Sequence, residues 1–216
     1  MKFAVFDCDG TLVDGQASIC EAMEVAFAAH GLPLPERNDI RRAVGLSLPQ
    51  AVSRLLPDGD PATFDAVTQA YKDAFRSARS EGRLSQPLFD GIADVLRALV
   101  SGGWTLGVAT GMSDRGLAHC LDINGVADLF VTLQTADRHP SKPHPAMLEA
   151  ALFEAGAAPG EAVMIGDTVF DMEMAQSAGV RGIGVDWGYH LPRELEAAGA
   201  GYVARTPRDL AEHLTA

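Results

Sequence analysis

Two aspartates stand two residues apart, directly after a short apolar run near the start of the chain. The run covers residues 3–6, which is typical of a strand buried on both faces, and it ends at Asp7-Cys8-Asp9. Side chains at i and i+2 of a strand share a side, so both carboxylates are expected together at its carboxyl end. Mg²⁺, which prefers carboxylate oxygens, would relieve their mutual repulsion. A strand that merely ends in a polar turn would also explain this pair.

Three further polar motifs follow later in the chain. Thr110-Gly111 offers a hydroxyl donor and a backbone amide that a phosphate oxygen can approach, although an ordinary strand-to-helix turn has the same composition. Lys142, one of three lysines, precedes a predicted helix and is either a phosphate-binding cation or a solvated loop residue. Asp167 ends another apolar run, and Asp171 follows one helical turn later. These two can share a face, unless one of them caps the helix.

The elements that must position these motifs alternate between strand and helix. Short apolar runs predict strands, and apolar spacings of three and four predict the helices between them. The predicted strands cover residues 3–6, 104–109, 129–133, 162–165 and 182–185, with one more short strand before the last helix. This order indicates an α/β fold, a doubly wound parallel sheet of Rossmann-like type, whose sites lie at the carboxyl ends of the strands.

A helical segment interrupts the alternation after the first strand. Residues 15–85 show helical spacings and no strand pattern. We therefore expect two domains, an α/β core of residues 1–14 plus 86–216 and an inserted α-helical cap of residues 15–85. The connections near residues 14–16 and 82–86 contain glycine or small polar residues, which suits hinge closure of the cap over the strand ends.

Composition limits the expected partners and location. The 216 residues are 47% hydrophobic and carry a formal net charge of −12. An acidic surface disfavours nucleic acid and anionic membranes as partners, and it requires a local site for any anionic substrate. Three widely spaced cysteines, with no leader sequence and no apolar run of membrane-spanning length, indicate reduced thiols and a cytoplasmic protein. We expect a monomer or a weak homodimer.

Taken together, the four motifs resemble those of the haloacid dehalogenase-like (HAD) superfamily, in its phosphatase branch. The first motif is Phe6-Asp7-Cys8-Asp9-Gly10-Thr11-Leu12-Val13-Asp14. The other three stand in the order and approximate spacing of that superfamily, and the insert resembles a helical cap in the first insertion position. The resemblance implies a phosphoric monoester hydrolase whose partner is a small phosphorylated metabolite.

The resemblance also implies a role for each motif residue. Asp7 would be the nucleophile that forms an aspartyl-phosphate, and Asp9 would protonate the leaving alcohol and then activate water. The residues that would hold the phosphoryl oxygens are Thr110, Gly111 and Lys142. The ligands of one Mg²⁺ would be Asp7, Asp9 through its backbone carbonyl, and Asp167, with Asp171 supporting them. The cation and the lysine would remove the repulsion between a phosphate dianion and a carboxylate nucleophile.

The cap loop at residues 45–48, Gly-Leu-Ser-Leu, bears on the substrate. A phosphomutase resembling β-phosphoglucomutase is the main alternative, and such enzymes carry an arginine where this chain has Leu48. The arginines that could replace it are Arg41, Arg42 and Arg54. A Gly-Leu-x-Leu loop looks more like relatives of phosphoglycolate phosphatase. Phosphoglycolate is therefore the leading substrate, with sugar phosphates and nucleoside monophosphates still open.

Three other activities fit the motifs less well. A dehalogenase would lack the second acid, Asp9, because no leaving alcohol needs a proton. A phosphonatase would need a cap lysine for a Schiff base, and the only one in the cap is Lys72, far in sequence from the loop. A non-catalytic module that binds phosphorylated metabolites would be expected to have lost Asp7, Asp9 or Asp167.

Overall fold

The computed structural model describes residues 1–215. Six strands are found there: β1 Lys2–Phe6, β2 Trp104–Thr110, β3 Thr132–Thr135, β4 Ala162–Gly166, β5 Arg181–Val185 and β6 Ala200–Ala204. The α-helices are α1 Gln16–Ala29, α2 Arg37–Ala43, α3 Leu48–Leu55, α4 Pro61–Ser80, α5 Ile92–Ser101, α6 Asp114–Ile123, α7 Ala146–Ala155, α8 Val169–Ser177, α9 Pro192–Ala197 and α10 Pro207–Thr215.

The strands form one parallel sheet in the order β3-β2-β1-β4-β5-β6. The chain builds outward from β1 through β2 to β3, crosses back to β4, and then continues in the other direction. β1 and β4 therefore flank the point where the winding reverses, and ligands of such sheets bind at the carboxyl ends of these strands. The predicted fold class, a doubly wound α/β sheet, is confirmed.

Apolar side chains cover both faces of the sheet. Ala4 and Phe6 of β1 join one core cluster, which packs against α5, α6 and α10. Phe3 and Val5 join a second cluster on the opposite face, against α7 and α8. All four side chains are inaccessible to solvent. The apolar run at the start of the chain is therefore a strand buried on both faces, and it fixes the acidic residues that follow it.

The helices α1 to α4 share an apolar cluster of their own. Its largest buried members are Ile19, Met23, Phe27, Ile40, Val52 and Val67. The two chain connections to this helical cap lie side by side, because the amide of Asp14 donates to the carbonyl of Pro87 at 2.8 Å and the amide of Ser85 to Oγ of Ser18 at 3.1 Å. The domain boundaries at residues 14 and 86 stay a prediction.

The strand predicted at residues 129–133 is displaced in the structure. Ala127–Leu129 form a 3₁₀ turn, Phe130 packs on the core, and β3 starts only at Thr132. The prediction was wrong because β3 is buried yet polar, and the amide of Gln134 donates to the hydroxyl of Thr132 at 2.7 Å. The apolar pattern marks the turn before the strand. Within residues 1–215, no helix combines the length and the apolar composition needed to cross a bilayer.

Candidate active site

The two aspartates of the first motif lie at the carboxyl end of β1. The amide of Asp7 still donates to the carbonyl of Ile165 at 2.9 Å, so the backbone there continues the sheet. The chain then turns at Gly10, whose φ of +85° favours glycine. A Cβ atom at this position would also collide with the carboxylate of Asp167. The glycine thus lets the carboxyl end of β4 approach the motif closely.

The carboxylate of Asp7 has one fixed oxygen and one free oxygen. Oδ1 accepts hydrogen bonds from the amide of Cys8 at 2.7 Å and from Nζ of Lys142 at 2.9 Å. Oδ2 is buried and has no hydrogen-bond partner among the described residues. Burial raises the pKa of Asp7 to about 6, and the negative charge of Asp171 adds to the rise, while Lys142 opposes it.

Lys142 joins two buried carboxylates. Its Nζ lies 2.9 Å from Oδ1 of Asp7 and 2.6 Å from Oδ1 of Asp171, and its side chain is inaccessible to solvent. Burial alone would lower the pKa of Lys142, but the charges of Asp171 and Asp7 outweigh it and raise the pKa above its ordinary value. The lysine is therefore a fixed positive charge at the site. It is not the solvated loop residue that the sequence also allowed.

The two aspartates of the fourth motif differ in their surroundings. Asp171 lies in the first turn of α8, and its Oδ2 accepts from the amide of Thr168 at 3.0 Å and from its hydroxyl at 2.7 Å. It thus helps to cap the helix and also binds Lys142. Asp167 precedes the helix, where its Oδ1 accepts from the hydroxyl of Thr11 at 2.8 Å and its Oδ2 from the amide of Tyr189 at 2.9 Å.

Carboxylate oxygens of Asp7, Asp167 and Asp171 lie within 4.8 Å of one another in a buried cluster. Burial, followed by the charges of Asp7 and Asp171, raises the pKa of Asp167 well above its ordinary value. Three buried carboxylates face the single ammonium of Lys142, which leaves negative charge uncompensated. A hard divalent cation such as Mg²⁺ fits this set of three buried carboxylates.

Asp9 stands apart from that cluster. Its Oδ1 is buried without a partner among residues 1–215, and burial together with the charge of Asp7 raises its pKa to about 7. The amide of Gln86, in the second connection to the helical cap, opposes this rise. A pKa of about 7 lets Asp9 exchange a proton near neutral pH.

A cleft of about 460 Å³ opens between the strand ends and the helical cap. Asp7, Asp9, Thr110 and Gly111 line it on the side of the sheet. Thr110 is buried, and its Oγ1 accepts from the amide of Met112 at 3.3 Å. The hydroxyl proton of Thr110 is therefore available to a ligand. The predicted residues of the first two motifs share one cavity wall, and Lys142 contacts that wall through Asp7.

The cap loop at residues 45–48 closes over this wall. A Cβ on Gly111 would collide with the carbonyl oxygen of Leu46 and lie 2.9 Å from that of Gly45. The amide of Ser47 donates to Oγ of Ser141 at 2.8 Å, next to the buried lysine. Leu48 lines the cleft and brings no charge to it. The loop thus reaches the second and third motifs together.

Two of the arginines that could supply the positive charge that Leu48 lacks make contacts elsewhere. Arg42 makes a bidentate ion pair with Glu194 of α9, at 2.8 and 3.0 Å, and its carbonyl oxygen lies 3.3 Å from Nε2 of His190. Nδ1 of the same histidine accepts from the amide of Val169 at 3.2 Å. Arg54 lies over the ring of Phe170, at 5.6 Å from its centroid. These contacts tie α2 and α3 to the sheet domain.

Several residues of the site were missed by sequence reasoning. They are Thr11, Gln86, Thr168, Tyr189 and His190, which bind or neighbour the acidic side chains. Thr11 lies inside the first motif, so its hydroxyl could have been predicted to donate a hydrogen bond to an acidic residue at the end of another strand. The others lie in loops without periodicity, and nothing in the sequence indicates where those loops fold.

Known proteins resemble this chain over nearly its whole length. A protein of Dickeya dadantii described as a probable phosphatase, IndB, is 37% identical over 201 residues, covering 90% of this chain and 85% of that protein. A phosphoglycolate phosphatase of Vibrio vulnificus is 27% identical over 209 residues, covering 94% and 92%. The crystal structure of a hydrolase from Pseudomonas syringae matches with a TM-score of 0.87 at 25% identity, covering 99% and 98%.

The sequence pattern of the haloacid dehalogenase-like hydrolases matches residues 4–185, which span the first strand, the helical cap and the fourth motif. The chain therefore belongs to the haloacid dehalogenase-like hydrolase family. The resemblance found from the motifs and the expected enzyme class, a phosphoric monoester hydrolase of this superfamily, are confirmed.

Proposed function

We propose that this protein is a Mg²⁺-dependent phosphatase that hydrolyses a small phosphorylated metabolite through an aspartyl-phosphate on Asp7. The observation that carries the proposal is the asymmetry of the Asp7 carboxylate. One oxygen is held by the amide of Cys8 and by Lys142, whereas Oδ2 is buried and free of partners among residues 1–215. A nucleophile oriented through one atom and unencumbered at the other is suited to in-line attack on phosphorus.

Asp9 is suited to the proton transfers of both half-reactions. With a pKa raised to about 7, it is protonated often enough to donate to the leaving alcohol and ionised often enough to accept a proton from water. It lines the same cleft as Asp7 without joining the carboxylate cluster. Because Oδ1 of Asp9 has no partner among residues 1–215, it is free to contact either the leaving alcohol, which would accept the proton, or water, which would donate one.

The charges of the ester would be met by protein groups on three strand ends. Thr110, Gly111 and Lys142 are proposed to hold the phosphoryl oxygens, since the first two line the cleft and the third carries a fixed positive charge beside the nucleophile. Asp7, the carbonyl of Asp9 and Asp167 would hold Mg²⁺, with Asp171 orienting Lys142. When bound, the cation supplies charge neutralisation for an approaching phosphate dianion.

Phosphoglycolate or a related small acid is the leading substrate, and sugar phosphates come next. The similarity to phosphoglycolate phosphatases over more than 90% of the chain supports this order, as does the uncharged loop with Leu48 on the cleft. A phosphomutase of the β-phosphoglucomutase type is the second candidate, because the cap closes over the strand ends and could exclude water during transfer of a phosphoryl group.

Hydrolysis of a generic aryl phosphate tests the proposal. Phosphate release should require Mg²⁺, stop after exhaustive chelation, and be inhibited by beryllium fluoride, which mimics an aspartyl-phosphate. Full turnover in excess EDTA would refute the metal requirement. A screen of about one hundred phosphorylated metabolites at fixed Mg²⁺, ranked by kcat/KM, would then order the substrates.

A further inference from the structure

Two arginines face each other across the cleft. Arg79 comes from α4 of the helical cap and Arg115 from α6 of the sheet domain, and both line the cavity that contains Asp7 and Asp9. Seven other arginines of the chain pair with a carboxylate. Within residues 1–215, neither Arg79 nor Arg115 has a carboxylate oxygen within ion-pair distance. Positive charge is thus left available inside the cleft of a strongly acidic protein.

The guanidinium of Arg79 is also short of hydrogen bonds. Its Nε is buried and has no acceptor in the described chain, although a buried donor without a partner is costly. Burial and the nearby charge of Arg115 both lower the pKa of Arg79. An anion between the two side chains would supply the missing acceptor and relieve the repulsion between them.

The cavity wall on α4 carries aromatic side chains beside the cations, since Lys72 and Arg76 also line it. Tyr71 and Phe75 precede Arg79 at intervals of four residues, so the three share one helix face towards the cleft. The two aromatic rings stack at a centroid distance of 5.5 Å. A ligand that extends from Asp7 along this face would meet apolar contacts first and a pair of guanidinium groups at the end.

We propose that Arg79 and Arg115 bind a second anionic group, a carboxylate or a phosphate, on the alcohol part of the substrate. This inference rests on the proposed function, because it takes the reacting phosphoryl group to lie at Asp7. Guanidinium groups bind carboxylate and phosphate through paired hydrogen bonds, so either group fits. Because one arginine lies on the cap and the other on the sheet domain, a doubly anionic substrate would also hold the cap in place over the strand ends.

Matched pairs of substrates test this proposal. ω-Phosphooxy carboxylates with two to five carbons would be compared with their primary amides, and α,ω-bisphosphates with the corresponding monophosphates. At one or more chain lengths, the ratio of kcat/KM for the anionic compound to that for its neutral partner should exceed about tenfold. The class with the larger ratio identifies the second group as carboxylate or phosphate.

Variants connect that ratio to the two arginines. Arg79→Gln and Arg115→Gln should each reduce it at least about tenfold, and Arg79→Lys should restore part of it. Arg208→Gln is the matched control, because Arg208 is exposed on α10 and pairs with Glu212. A ratio near one for every wild-type pair, or a ratio that survives both glutamine variants, would overturn the inference.

Binding separates this inference from the proposed function. Phosphonate analogues of the same pairs would be titrated calorimetrically into the Asp7→Asn protein, which needs no turnover. Tighter binding of the acid or bisphosphonate, lost in Arg79→Gln with Asp7→Asn, supports the second anion site even if hydrolysis is absent. Equal affinity for anionic and neutral analogues would refute it even if the protein proves to be an active phosphatase.

Discussion

Nζ of Lys142 lies 2.9 Å from Oδ1 of Asp7, at a place where neither side chain reaches solvent. The same nitrogen binds Asp171 at 2.6 Å, so one cation holds together carboxylates from the end of β1 and the first turn of α8. A charge pair of this kind is costly to bury and becomes more costly when one member is removed. The pair therefore sets both the orientation of the proposed nucleophile and the stability of the site.

Replacement of Lys142 by methionine removes the only ammonium of the cluster while it keeps much of the side-chain volume. We expect a loss of about 3–5 kcal/mol in the free energy of unfolding without metal, because buried carboxylates lose their partner. Urea unfolding in EDTA at pH 7 measures this loss. Lys2→Met is the control, since Lys2 lies at the surface over the ring of Trp104. A similar loss in both variants would contradict the assignment.

Asp7→Asn removes the attacking oxyanion and leaves the shape of the side chain. We expect kcat for an aryl phosphate to fall by several orders of magnitude, because the nucleophile and its partners act as a unit. Acid-quenched incubations with labelled substrate should also yield no phosphorylated protein from the variant. Retention of more than about a tenth of kcat would assign the nucleophile to another residue.

The pH dependence of stability tests the surroundings of Asp9. Its pKa is raised from 3.8 to about 7 in the folded protein, so the native state holds its proton more tightly than the unfolded chain. The resulting stabilisation is fully present below about pH 4 and is lost as the pH rises through 7. In EDTA, the stability of the wild type relative to Asp9→Asn should therefore decrease from pH 4 to 7.5. Chemical unfolding at intervals of half a pH unit measures this difference, and a constant difference would show that Asp9 titrates normally.

Gly111→Ala tests whether the cap loop must rest on the second motif. The added methyl would collide with the carbonyl of Leu46, while φ at this glycine lies outside the left-handed region, so the core backbone tolerates alanine. We expect KM to rise and kcat to fall, together about tenfold or more, with a melting temperature near that of the wild type. Gly160→Ala, in open space, is the matched control. Unchanged kinetics would mean that the cap occupies a different position during catalysis, away from Gly111.

Glucose 1-phosphate with a trace of the 1,6-bisphosphate separates phosphatase from mutase. Leu48 offers packing and no charge to a second phosphate, and Arg42 is held by Glu194. We therefore expect inorganic phosphate to accumulate without sustained formation of glucose 6-phosphate. Both products can be followed by coupled assays in the same mixture. Glucose 6-phosphate appearing faster than inorganic phosphate would support the mutase.

Much of the strand-end chemistry could be predicted because the first, second and fourth motifs each follow an apolar run that is typical of a buried strand. β1 and β4 lie where those runs indicated, so Asp7 and Asp167 meet as the topology of a doubly wound sheet requires. The pattern failed at β3, where buried threonine and glutamine satisfy each other and the apolar signal belongs to the preceding turn. Hydrophobic periodicity indicates buried apolar side chains, so it does not detect a strand whose buried side chains are polar.

Contacts between distant loops could not be predicted in the same way. The pairing of Arg42 with Glu194 depends on how the cap rests on the sheet domain. Gln86 beside Asp9 and Tyr189 against Asp167 depend on how distant segments of the chain fold together at the strand ends. Arg79 and Arg115 are ordinary helix-surface residues in sequence, and their common cavity arises only when α4 lies opposite α6. Such relations depend on the packing of whole domains, which no local spacing encodes.

The ion pair between Arg42 and Glu194 makes the contact between the cap and the sheet domain sensitive to ionic strength. Both side chains are about one-third exposed, and attraction between charges at such a place weakens as ionic strength rises. The pair joins α2 of the cap to α9 of the sheet domain, so we expect the cap to separate from the sheet domain more readily at high ionic strength. Stopped-flow measurements of product release at increasing ionic strength would test this expectation, with release becoming faster as the ion pair weakens.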